Sequence, residues 1–377
     1  MSYIYKQIEH GGNIYRLAEE LKIQERNVID FSTTINPLRT SKKIKAEIRK
    51  NLKYLHNYPD HDSRRLRKRL AQYHKIDMEN IICGNGSTEL IYLIARTLRP
   101  QRVLIPAPTF LEYERAISIT GSIEKRAQIE YLFLKAEYDF RINPDEFVYV
   151  LQKGAESSRS FDMAFLCNPN NPTSKLLKKD AVLTIAEGAR KEKCYLVVDE
   201  ALIDFCSDET VIKEVEHNPY LIVLRSMESF YALSGLRFGY GIFPENLIAR
   251  LNEQREPWTV NSLSQRAAVV ALKDKGYRKE TVKIITEEKE FLEKNFKKLG
   301  IEFTSSDTNF YFIRIDNADE VCHQLKTKGI LVRNCGNFHG LDSSYIRIAV
   351  KSHRENTILI KALTLILKRN TSTKEKS

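Results

Sequence analysis

Four short segments combine residue types that could do chemistry, and each follows an apolar run. Gly84-Asn85-Gly86-Ser87-Thr88-Glu89 comes after Ile81-Ile82-Cys83 and before the helical pattern from Leu90 to Leu98. Backbone N–H groups at a helix start, with two hydroxyls beside them, make an anion cradle. The same residues are also an ordinary capped helix start, so both readings stand at this point. Asn168-Pro169-Asn170-Asn171-Pro172-Thr173-Ser174 follows a run ending at Cys167, and Asp199-Glu200-Ala201 follows one ending at Val198. The fourth segment runs from Arg225 to Tyr240 as Arg-Ser-Met-Glu-Ser-Phe-Tyr-Ala-Leu-Ser-Gly-Leu-Arg-Phe-Gly-Tyr. A carboxylate such as Asp199 at a strand end is commonly a helix cap. In a parallel α/β sheet, however, ligands sit beyond the carboxyl ends of strands, where all four segments would lie.

The elements that must position these segments follow from periodicity. Val103-Leu104-Ile105, Met163 to Leu166, Tyr195 to Val198 and Leu221 to Leu224 are short β-rich runs. They alternate with longer helical patterns, which predicts an α/β fold with a mostly parallel sheet covered by helices. Val182, Ile185 and Ala186 space a helix over Asp180 to Lys191, so Phe165 to Val198 reads as a βαβ unit. A long helix through Val282, Ile285, Phe291, Leu292, Phe296 and Leu299 should stop at Gly300. Beyond it, Phe310 to Ile315, Ile330 to Arg333 and Tyr345 to Val350 would supply the strands of a smaller α+β domain. Lys368 to Ser377 reads as a polar tail that need not fold.

Composition narrows the function classes. The net charge of +11 fits either a nucleic-acid surface or a solvated exterior that attracts anionic metabolites. Apart from Arg64-Arg65-Leu66-Arg67-Lys68-Arg69 the basic residues are interleaved with acidic ones, and that run itself reads as the solvated side of a helix. No nucleic-acid partner is expected. The six cysteines lack metal-ligand or CxxC spacing, so neither disulfides nor a metal site are expected. Without a run of about 18 apolar residues, or an apolar stretch in Met1 to His10, the chain is expected to be cytoplasmic and free of membrane.

Taken together, the order and spacing of the four segments resemble the fold-type I aminotransferase family, whose cofactor is pyridoxal 5′-phosphate (PLP). The branch is that of histidinol-phosphate aminotransferases and threonine-phosphate decarboxylases. His10-Gly11-Gly12-Asn13, Ile35-Asn36-Pro37, Tyr58-Pro59-Asp60, Pro108 to Tyr113, Pro257 to Asn261 and Asn337-Phe338-His339-Gly340-Leu341 look most like the decarboxylases. The resemblance covers nearly the whole chain. It implies an N-terminal arm and part of the small domain in 1–50, a large PLP-binding domain in 51–270 and a small domain in 271–377. Ser87, Thr88, Ser226 and Arg237 would hold the cofactor phosphate, with Tyr58 reaching it from the neighbouring subunit of a homodimer. Phe110 would stack on the pyridine ring, Asn171 would bond the ring hydroxyl, and Asp199 would pair with the protonated ring nitrogen. Arg347 would clamp a substrate anion, and Arg333, Asn36, Asn171 and His10 would complete recognition of a small phosphorylated amino acid.

One position departs from the pattern. The family's cofactor lysine stands three residues after the phosphate-binding serine and eight before the arginine, which from Ser226 and from Arg237 gives Ser229. No lysine lies between Glu214 and Lys273. A serine hydroxyl cannot join the cofactor covalently, and the usual amine for proton transfer at the substrate α-carbon is lost. Either the lysine has been replaced to trap a bound substrate, which intact contacts elsewhere would favour, or the chain is a natural lysine-less homologue. The leading function is decarboxylation of O-phospho-L-threonine or O-phospho-L-serine to aminopropanol phosphate or ethanolamine phosphate. These substrates differ by one methyl group, worth only about 1–3 kcal/mol in a pocket. A histidinol-phosphate-type aminotransferase and a non-catalytic PLP-binding homologue are the alternatives.

Overall fold

A computed structural model gives the structure of residues 10–120, 126–156 and 160–374, with side chains to residue 368. The polar start before His10 lies outside the described residues. Among those described, the strands in chain order are β1 (Ile29–Asp30), β2 (Ile81–Gly84), β3 (Arg102–Ala107), β4 (Gln128–Phe133) and β5 (Met163–Cys167). They continue with β6 (Tyr195–Asp199), β7 (Leu221–Ser226), β8 (Gly239–Ile242), β9 (Glu302–Phe303) and β10 (Phe310–Arg314), then β11 (Ile330–Leu331), β12 (Arg333–Asn334) and β13 (Tyr345–Ala349).

The large sheet has the order β2-β8-β7-β6-β5-β3-β4. Its pairs are parallel except the two made by β8, which runs antiparallel between β2 and β7. Strict alternation along the central strands explains how it is covered. On β6, Leu196 and Val198 enter one core and Val197 the other; on β5, Ala164 and Leu166 oppose Met163 and Phe165. The first core is closed by helices Arg64–His74, Pro144–Glu156, Lys179–Lys191 and Ser262–Ala271, the second by Ser87–Leu98, Glu112–Thr120 and Glu245–Gln254. Each fully buried Leu, Ile or Val contributes roughly 1.5–3 kcal/mol, so the strand ends are held on a rigid platform. The basic run lies where expected, on the first turns of the helix Arg64–His74, with Leu66 and Leu70 facing inward.

A third core lies around the four-stranded sheet β12-β13-β10-β9. The 24-residue helix Lys275–Lys298 joins the two regions, since Tyr277 packs in the first core and Ile285, Leu292 and Phe296 in the third. It ends before Gly300, whose φ of 66° is the left-handed conformation expected of the cap. The N-terminal segment is shared as well. β1 pairs in parallel with β11, and Phe31 enters the third core, while Ile44 of the helix Lys42–Asn51 enters the first.

Two expectations need correction. Ile330 to Arg333 is not one strand: Ile330–Leu331 pairs with β1 and Arg333–Asn334 with β13, because the chain passes from one sheet to the other at Val332. The polar tail is not all unstructured. The terminal helix His353–Lys374 runs through Lys368, because Leu359, Leu363 and Ile366 anchor it on the core.

Candidate functional site

The carboxyl ends of β3, β5, β6 and β7 lie side by side, and the acidic member is Asp199 at the end of β6. It is only 3 % exposed. Its Oδ2 accepts a hydrogen bond from the Tyr113 hydroxyl at 2.7 Å, and its Oδ1 accepts one from the backbone N–H of Ala201 at 3.0 Å. Burial pushes this carboxyl above its ordinary value, against the pull of those two bonds. A buried carboxylate with hydrogen bonds but no paired cation is a seat for a positively charged ring nitrogen. Tyr113 itself stacks on Phe165 at 4.6 Å between centroids and meets Phe110 edge-on at 5.6 Å. Sequence reasoning assigned Phe110 and Asp199 but missed Tyr113, although it sits in the same quoted motif, one helical turn after Phe110. The neighbouring turn is fixed by Thr109, which donates to Asn170 at 2.7 Å, and by Asn170, which donates to the Pro108 carbonyl at 3.0 Å.

The anion cradle lies where β2 enters the helix Ser87–Leu98 and where β7 ends at Ser226. Gly86 has φ +83°, and a side chain there would meet Arg237 Nη2 at 2.7 Å and Glu228 Oε1 at 2.8 Å. On the other side, a side chain at Gly239 would come within 2.3 Å of the Ser87 backbone nitrogen. The glycines therefore let Arg237 and β8 close directly over the helix start that bears Ser87 and Thr88. Glu228 was not foreseen. Its carboxylate forms an ion pair with Arg237 at 2.6 Å, while its backbone N–H donates to Ser226 Oγ at 3.2 Å. Arg237 thus already holds an anion from its own chain.

Arg347 and Arg333 are register partners on β13 and β12, and each is 7 % exposed. Arg347 donates to Asn171 Oδ1 and to the Ser32 carbonyl, both at 2.5 Å, and its buried Nε has no partner. Arg333 donates to the Asn334 carbonyl and to Asn337 Oδ1, both at 2.7 Å, and lies over the Phe338 ring. Burial, with the nearby Arg333 charge, brings the Arg347 guanidinium down to about 10 despite the opposing influence of Cys335 and Asp30. Two buried guanidiniums on register partners are the kind of donor pair that can seat an anion.

At the mouth, His10 Nε2 lies 2.8 Å from Glu112 Oε1, and the Tyr92 hydroxyl donates to Glu112 Oε2 at 2.6 Å. Burial alone would raise the Glu112 carboxyl, but these bonds outweigh it and hold it at about 2. His10 also lies 6.3 Å from Phe110, ring to ring. Asn36, by contrast, is 1 % exposed and fully committed. Its amide donates to the Phe230 carbonyl and to Thr281 Oγ1, both at 2.7 Å, and accepts from Leu38 N–H. This corrects its assignment to substrate recognition, since no amide hydrogen is left for a substrate oxygen. Its backbone N–H donates to the Ser229 carbonyl at 3.0 Å, so Asn36 holds the turn that carries Ser229. The Ser229 hydroxyl lies 3.1 Å from that of Thr34. Tyr58 stands apart, 81 % exposed, against the Trp258 ring at 5.0 Å.

Beneath the site lies a buried ionic cluster. Arg225 on β7 reaches Glu200 Oε2 at 3.1 Å and Asp204 Oδ1 at 2.9 Å, with all three side chains at most 6 % exposed. It couples the ends of β6 and β7, one residue from Asp199 and one from Ser226.

The donor set fits one group: an acid for a pyridinium, an aromatic face, and a glycine-lined anion cradle on a helix start. These define a fold-type I PLP site on a mixed, mostly parallel sheet. The model of the aminotransferase class I and II family matches residues 26–363, and the chain belongs to that family, with PLP as its cofactor. It is 35% identical over 362 residues to the threonine-phosphate decarboxylase of Salmonella typhimurium, covering 95% of this chain and 96% of the relative. It is also 35% identical over 315 residues to a histidinol-phosphate aminotransferase of Caldanaerobacter subterraneus, covering 82% and 84%. The crystal structure of L-threonine-O-3-phosphate decarboxylase from Porphyromonas gingivalis superposes with a TM-score of 0.76 at 28% identity, covering 90% of this chain and all of that one. No helix among the described residues is long and apolar enough to cross a membrane.

Proposed function

We propose that the chain is built to decarboxylate an O-phospho-L-amino acid, threonine or serine phosphate, to the corresponding amino-alcohol phosphate. The observation that carries this reading is the pair Arg347 and Arg333, buried in register on adjacent strands. A substrate with both a carboxylate and a phosphate needs two cationic seats, and the 35% identity to a threonine-phosphate decarboxylase points the same way. PLP, when bound, supplies the electron sink for a carbanion at the substrate α-carbon. Asp199 keeps the ring nitrogen protonated, Phe110 covers the ring face, and Asn171 orients the ring oxygen through its amide. Arg347 would hold the substrate carboxylate, while Arg333 and His10 would receive the phosphate. Tyr58, exposed on one subunit, completes the cofactor-phosphate seat of its partner in a homodimer.

Ser229 stands in the place of the cofactor lysine, so turnover in this form is low. Its hydroxyl has no basic nitrogen to move a proton at the α-carbon. Restoring the amine tests the reading directly. Ser229→Lys should release CO2 from phosphothreonine or phosphoserine at least about a hundredfold faster than the parent, in line with the usual contribution of a positioned proton-transfer group. Amino transfer to a keto acid instead would favour the histidinol-phosphate-type reading, and turnover of neither kind a non-catalytic homologue.

A further inference from the structure

Arg237 lies over the start of the helix Ser87–Leu98, where the cofactor phosphate would sit, yet its charge is already paired. Glu228 Oε1 is 2.6 Å from Arg237 Nη1, and both groups press on the Gly86 position that opens the cradle. The Glu228 side chain is 19 % exposed against 44 % for Arg237, so the carboxylate is the inner member of the pair. Glu228 also stands immediately before Ser229, in the turn that is pinned through Ser226 Oγ, the Leu233 N–H and Asn36. Burial raises its carboxyl while Arg237 lowers it, which describes an acid held in the cradle by its guanidinium partner. A phosphate dianion entering this cradle must displace the carboxylate from Arg237 or share the space with a like charge.

We infer that Glu228 is a built-in competitor for the cofactor phosphate, which sets the affinity of the site for phosphorylated ligands and makes cofactor binding by this chain weak and reversible. The inference rests on the PLP reading of the site and deepens it. The missing lysine removes the covalent hold, and Glu228 weakens the ionic one; both features fall in one turn and act in the same direction. Such a site exchanges its cofactor with solution instead of retaining it, and it discriminates poorly between a phosphorylated and an unphosphorylated pyridoxal.

The test compares PLP and pyridoxal, which lacks the phosphate, as ligands of the full-length protein by equilibrium dialysis. Glu228→Gln and Glu228→Thr each remove the negative charge, and a single cooperative melting transition checks that each variant folds. Both should bind PLP about ten- to a hundredfold more tightly than the parent, the range that one charge-assisted hydrogen bond commands. Their affinity for pyridoxal should stay within about twofold, since a ligand without the anion has no contact with Arg237 to regain. Unchanged or weaker PLP binding, or an equal gain for pyridoxal, would overturn the inference while leaving the cofactor site intact. Uptake of neither ligand by any form would overturn the PLP reading itself.

Discussion

Asp199 exchanges stability for function at a single residue. Its carboxyl is raised by burial, so in the protein without cofactor the group stabilises the fold most when protonated. That contribution is complete below the ordinary value of 3.8 and is lost as pH rises through the raised value. Asp199→Asn should therefore make the cofactor-free protein more stable at neutral pH, by on the order of 1 kcal/mol or more. The same change should weaken PLP binding about tenfold or more, because the pyridinium loses its counter-charge. Melting curves and PLP titrations of the two proteins measure both effects, and an asparagine variant less stable without cofactor would contradict the assignment. Glu112 has the opposite sign. Held at about 2, its stabilisation is present above its ordinary 4.5 and fades as pH falls between those values. Tyr92→Phe should flatten that part of the acid-unfolding profile. Asp199 and Arg347 were legible only through the family resemblance, since a carboxylate closing an apolar run reads equally well as a helix cap. Tyr113 was not, since its partner lies 86 residues away and only the fold brings the two together. Glu228 was not legible either, because its pairing to Arg237 depends on how the turn folds back.

At the scale of elements, the site depends on how closely β8 approaches the helix Ser87–Leu98. A methyl at Gly239 would meet the Ser87 nitrogen at 2.3 Å and the Gly86 carbonyl carbon at 2.6 Å, both backbone atoms that cannot swing aside. Gly239→Ala should cost about 1–3 kcal/mol by denaturant titration, in the manner of an overpacked core, and should impair PLP uptake by moving the helix start. Equal stability of the two proteins would show that the cradle can open without penalty. The ionic cluster beneath is a second brace. Arg225→Met would leave Glu200 and Asp204 without their buried counter-charge and should cost about 3–5 kcal/mol. Elements of the large sheet were readable because their apolar runs alternate cleanly between two cores. Short strands were less so: β11 and β12 lie within five consecutive residues, and nothing local marks the change of sheet at Val332. The last helix was underestimated because its polar end is carried by an apolar stripe that begins well before it, at Ile358 and Leu359.

For the whole molecule, the account needs two subunits and a cofactor held without a covalent bond. Tyr54, Leu55, Tyr58 and Trp258 are all exposed on one subunit, as residues awaiting a partner surface would be. Sedimentation should find a dimer, and Tyr58→Phe should weaken PLP binding without dissociating it; a monomer that binds PLP as tightly would contradict the shared site. The most direct measurement is to saturate the protein with PLP, treat it with borohydride and locate any covalent adduct by peptide mass spectrometry. The cofactor should be taken up, as its absorbance shows, yet leave no modified lysine, whereas Ser229→Lys should carry the adduct at residue 229. An adduct on another lysine of the parent protein, or no cofactor uptake at all, would contradict the claim that this chain is a PLP protein without its lysine.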